Sequence, residues 1–107
     1  MPDLRAVIWV PEKYYADRQH RIGLCVAYCA RRGYLVVGIV TDGGAAGWAD
    51  ATQMCFGDTQ AEVIVVGGRR EDLPLDRLPR SEFIGEEGQE IPGQRRGWRR
   101  RPRIIDR

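Results

Sequence analysis

Three short apolar runs limit what this chain can fold into. Residues 34–40 (YLVVGIV) pass seven positions without a charge, and residues 5–10 (RAVIWV) and 62–66 (EVIVV) are rich in β-branched residues. A strand with one wet face alternates polar and apolar side chains. An unbroken run is what a strand needs when helices cover both its faces, as in a parallel sheet. The stretches between the runs are long enough to supply those helices. Over residues 15–32, Ile22, Cys25, Val26 and Cys29 recur at i, i+3, i+4 and i+7 as one apolar stripe. Arg18, Arg21, Arg31 and Arg32 then fall on the wet side, and Gly33 stands where a left-handed cap is expected. A Gly-rich loop (41–47) leads to a weaker helix over about 48–57. Residues 72–80 fit a helical turn that admits Pro74 near its start, and residues 81–84 (SEFI) fit a short fourth strand.

The expected fold is therefore α/β, a small three- or four-stranded, mainly parallel sheet flanked by helices. Its expected core brings Ile22, Cys25, Val26 and Cys29 against Val7, Ile8, Val37, Ile39, Val63, Ile64 and Val65. A chain of 107 residues has room for one such domain. No apolar run approaches the ~20 residues of a membrane span, and the first residues lack a signal-peptide layout, so a cytoplasmic protein is expected. Three cysteines cannot all pair with one another, which argues against a disulfide framework.

The net charge of +2 conceals an asymmetry. Residues 95–107 hold seven arginines and one aspartate, a net of +6, which leaves −4 on the remaining residues. From Gly85 onward Gly, Gln, Glu, Pro and Arg dominate. The expected organisation is a domain over 1–84, then a linker and a basic, flexible arm over 85–107.

Several stretches, in order, resemble the catalytic domain of serine recombinases, the resolvase/invertase family. They are the strand beginning Ala6-Val7-Ile8-Trp9, then Gln19, then Cys25-x-x-Tyr28-Cys29-x-x-Arg32-Gly33-Tyr34. Val40-Thr41-Asp42 with Gly47 follows, and finally Asp76-Arg77-Leu78-Pro79-Arg80. The resemblance covers roughly residues 5–84 and implies a resolvase-like, flavodoxin-like fold with Gln19, Asp42, Asp76, Arg77 and Arg80 as motif remnants. Where the family has Tyr-x-Arg-x-Ser, this chain reads Trp9-Val10-Pro11-Glu12-Lys13. Proline replaces the arginine and lysine replaces the nucleophilic serine. The chain's single serine is Ser81. Transfer to a DNA 5′-phosphate needs an in-line hydroxyl with arginines around the phosphate, so the recombinase chemistry is expected to be lost. Residues 67–71 (GGRRE) separate the third strand from the last motif, so Asp72 and Asp76 both remain candidates for its spatial equivalent.

Cys25, Cys29, Cys55 and His20 lack the knuckle spacing of a structural zinc site, so no metal is expected. The 42–47 loop has neither a dinucleotide fingerprint nor a Walker lysine, and turn chemistry with Asp42 as a cap accounts for it. His20 reads as solvated, and no cofactor is implied. Arg95, Arg96, Arg99, Arg100, Arg101 and Arg103, with Trp98 as a stacking face, form the densest phosphate-binding cluster. Arg69, Arg70, Arg77 and Arg80 are a competing patch. The plain alternative folds the arm onto Glu82, Glu86, Glu87 and Glu90. The expected function is a catalytically inactive, nucleic-acid-associated accessory protein, with DNA favoured over RNA. The alternative is an interaction module whose arm clamps an acidic protein surface. Self-association is compatible with either.

Overall fold

The computed structural model describes residues 4–57, 60–74 and 80–92. Strands β1 (Arg5–Trp9), β2 (Leu35–Val40), β3 (Val63–Val66) and β4 (Ser81–Phe83) form one sheet in the order β2-β1-β3-β4. Every pairing in it is parallel. Helix α1 (Arg18–Arg32) links β1 to β2, and α2 (Ala45–Met54) links β2 to β3. The α/β expectation holds, with four strands.

Strand periodicity divides the core into two layers. Ala6, Ile8, Val63, Val65 and Ile84 pack with Cys25, Tyr28 and Cys29 of α1. Val7, Trp9, Ile64, Val66 and Phe83 pack with Trp48 and Ala51 of α2. Val7 and Ile64 therefore turn away from α1, contrary to the single facing set expected from sequence. Trp9 and Trp48 meet edge-on at 4.9 Å, and the Trp9 indole donates to the Asp42 carbonyl at 2.9 Å.

Four further expectations are corrected. The buried face of α1 is Arg21, Cys25, Tyr28 and Cys29. Val26 is 41% exposed, and Arg21 belongs inside. β2 meets a helix layer on each face, through Val36 on one side and Val37 and Val40 on the other, but it is not fully covered. It is an edge strand, half-buried along most of its length, with Leu35 and Ile39 exposed. α1 begins only at Arg18, after a 3₁₀ segment (Glu12–Asp17) that follows Pro11. α2 begins three residues earlier than expected, because Gly44 takes an extended conformation and accepts the first helical bond from the Trp48 N–H.

The cap of α1 is as expected. Gly33 has φ +76°, and the N–H groups of Gly33 and Tyr34 bond back to Ala30 and Cys29. The chain after β4 does not leave as a linker. Gly85 donates to the Gln89 carbonyl, Ile91 donates to Phe83, and Ile84 bridges Glu90 antiparallel. Residues 84–91 thus return along the outer side of β4.

Candidate functional site at the carboxyl edge of the sheet

β1 and β3 are the two central strands; α1, which follows β1, packs on one face of the sheet, and Leu73, on the segment that follows β3, packs on the other. Beyond their carboxyl ends lies the crevice where open α/β sheets place ligands. Two turns close it. Pro11 directs the chain after β1 into the 3₁₀ segment, which carries Lys13 and Tyr14. The chain after β3 passes through Gly67 and Gly68 into a short 3₁₀ turn, Arg70–Asp72. Gly68 permits the approach of these turns: a Cβ there would lie 2.9 Å from both Asp72 Oδ2 and Tyr14 Cε2.

Asp72 is the hub. Its carboxylate accepts from Lys13 Nζ at 3.1 Å, from the Tyr14 hydroxyl at 2.8 Å and from the Arg69 N–H at 2.9 Å. Burial alone would raise this carboxyl. The Arg69 amide, Tyr14 and Lys13 outweigh burial and hold it below the usual carboxylate range. Tyr14 moves the other way: burial and its bond to Asp72 push its phenol above the ordinary value, so it remains a neutral donor.

Arg21 forms the back wall. Its guanidinium lies 3.7 Å from the Tyr14 ring centroid, donates to the Gly67 carbonyl at 3.2 Å and to Asp17 at 3.2 Å, and sits 4.0 Å from Glu86. A cleft of about 340 Å³ opens beside it, between Arg69 and the 85–92 turn.

Of the motif remnants, Asp42 lies just past the carboxyl end of β2, where its Oδ1 accepts from the Gly44 N–H at 2.8 Å, a turn contact two residues on. It does not cap α2 as expected, since Gly44 is the N-cap and no side chain caps that helix. Gln19 is exposed in the first turn of α1. Arg80 donates to Glu82 at 2.9 Å. Of the two candidate aspartates, Asp72 meets Lys13. Asp76 and Arg77, and the arm residues Arg95, Arg96, Trp98, Arg99, Arg100, Arg101 and Arg103, lie outside the described residues.

Sequence reading missed a second cluster. Glu82 is not part of an acidic surface open to the arm. It is wholly buried and accepts from Tyr28 at 2.7 Å, from Tyr34 at 2.8 Å and from Arg80. Ser81 beside it is also fully buried. Burial raises the thiols, Cys25 to about 12 and Cys29 and Cys55 to about 11, which opposes the thiolate a metal would need. Among the described residues no group of three or more His, Cys, Asp or Glu converges on a metal position, and no helix is long and apolar enough to cross a membrane. No family model, curated protein or solved structure matches the chain.

Proposed function

We propose that the protein is a nucleic-acid-associated accessory protein built on a recombinase-like α/β domain that performs no strand transfer. The observation that carries the loss of strand transfer is the Lys13–Asp72–Tyr14 constellation at the crevice. Phosphoryl transfer through a covalent intermediate needs a hydroxyl that can be deprotonated, with cationic groups free to meet developing charge. Here Lys13 stands where the resembling family carries its serine, and its ammonium is paired with Asp72. The Tyr14 hydroxyl is committed to the same carboxylate and is harder to ionise than usual. Ser81 is buried in β4. Arg21 is engaged by Asp17, the Gly67 carbonyl and the Tyr14 ring.

With Lys13 and Arg21 engaged internally, we assign phosphate affinity to the arginine-rich segment 95–107. Forked guanidinium donors suit phosphate oxygens, and Trp98 offers a stacking face. Gel shifts with duplex DNA, single strands and structured RNA test the binding half. Denaturing gels of supercoiled or nicked DNA incubated with the protein test the catalytic half. Binding without any covalent protein–DNA adduct is expected. An adduct at any residue overturns the loss of chemistry. Absence of binding at low salt transfers the lead to an arm that clamps an acidic protein.

A further inference from the structure

The two edges of the sheet are treated differently. β4 is three residues long, and the returning 84–91 turn occupies its outer side. β2 is six residues long (LVVGIV) and has no charge and no proline. Among the described residues no strand pairs with its outer side. Short length, charge and proline are usual means of keeping an edge from pairing, and β2 lacks all three; a bulge is a fourth, and the one in β2 is confined to its middle, between Val36 and Gly38.

Apolar side chains flank that edge in both layers. Leu35 is 50% exposed, Ile39 43% and Val26 of α1 41%. The two flanks of α1 explain Val26. Leu24 and Arg31 lean toward the 84–91 turn, where Leu24 lies against Gly88 and Arg31 donates to its carbonyl at 2.7 Å. Ile22 and Val26, one turn apart, fall by helical spacing on the opposite flank of α1, the flank turned away from the 84–91 turn.

The bulge in β2 supplies a symmetry. Val36 and Ile39 pair with Ala6 and Ile8, which face α1, while Val40 pairs with Trp9, which faces α2, and Leu35, next to Val36, falls by strand alternation on the α2 side. Val37 packs into the α2 layer, and Gly38 lies under Met54 in that same layer. From 35 to 40 the faces therefore read α2, α1, α2, α2, α1, α2, the same in both directions.

We propose that the β2 edge is an interface between two copies of this chain. The two β2 strands run antiparallel about a two-fold axis perpendicular to the sheet. Leu35 lies opposite Val40 of the second copy, and Val36 lies opposite Ile39. This register keeps each layer continuous across the seam, and Ile22 and Val26 of the two helices close over it. A two-fold contact must be self-complementary. A strand without charge whose faces read alike in both directions meets that requirement, whereas a strand from another protein would gain nothing from the symmetry. The bulge sits on the axis, so the two ends of β2 carry the pairing.

Sedimentation velocity of the full chain, from micromolar to submillimolar concentration and at high salt, tests this. A dimer that survives salt is expected, because apolar contact is insensitive to screening that suppresses contacts of the arm. Val26→Asp and Ile39→Lys are expected to weaken it by at least about tenfold. Both sites are partly exposed, so melting of the monomer should be unchanged. Leu35→Lys reads the same seam from the other layer should Ile39→Lys fail to fold. A wild-type chain that stays monomeric, a dimer that dissolves in salt, or a dimer of undiminished affinity in the folded variants overturns the proposal.

Discussion

At Glu82 a carboxylate is held in the interior by two tyrosine hydroxyls and one guanidinium, with no solvent exposure of its own. Removing one member leaves the others unpaired, so Glu82→Ala should cost about 3–5 kcal/mol in urea unfolding. A loss below about 1 kcal/mol, the scale of exposed pairs, would show the site to be wet. The pH dependence follows from the same group. Burial alone would raise Glu82, but Tyr28, Tyr34 and Arg80 hold it below its usual value, and Asp72 is lowered by its own partners. Groups lowered by folding stabilise fully above their unfolded values, about 3.9–4.3, and that contribution is lost as pH falls through the folded ones. The melting temperature should hold from neutrality to about pH 5, then drop below about pH 4, and drop less in Glu82→Gln. A melting temperature that climbs on acidification would contradict the assignment. Neither Glu82 nor Arg21 was legible as a buried residue. Each reads as an ordinary surface charge until partners 46 to 54 positions away close over it.

The identity of α1 was legible from apolar spacing, but its orientation was not. Ile22, Cys25, Val26 and Cys29 fit one stripe, and so do Arg21, Cys25, Tyr28 and Cys29. What selects the second set is the Tyr14 ring waiting for Arg21 and the Glu82 carboxylate waiting for Tyr28. Likewise the run 34–40 announced a strand without saying that it lies at an edge, since both depend on the same apolar residues. Substitutions separate the two readings of α1. Val26→Ser should change unfolding free energy at low protein concentration by less than about 0.5 kcal/mol, as partly exposed positions do. Val65→Asp places a carboxylate at a fully buried position in β3 and should cost several kcal/mol, most of a small domain's stability. Equal losses in urea titrations of the two variants would restore the sequence-based stripe.

On the scale of the whole molecule, the parallel sheet followed from three apolar runs and the helices between them, while the return of residues 84–91 along β4 did not. That turn is made of Gly, Glu and Gln, a composition that reads as linker until backbone bonds to Gln89 and Phe83 fix it. Charge, by contrast, is distributed as the sequence states: −4 over residues 1–94 and +6 over 95–107. The field of the body repels polyanions, so attraction has to be local. If Arg95, Arg96, Arg99, Arg100, Arg101 and Arg103 each neutralise one phosphate of a duplex, the log–log dependence of affinity on salt has a slope of roughly −5, since each contact contributes about −0.9. Binding of this kind is largely indifferent to sequence, because phosphate contacts carry no base information. Removing residues 95–107 should abolish binding and leave the melting temperature unchanged. The rival patch gives the opposite result. Arg80 is tied to Glu82, but Arg69 stands at the cleft mouth beside Arg70. If the shortened chain binds duplex DNA with an undiminished slope, the phosphates lie at the carboxyl edge of the sheet and the arm is not the site.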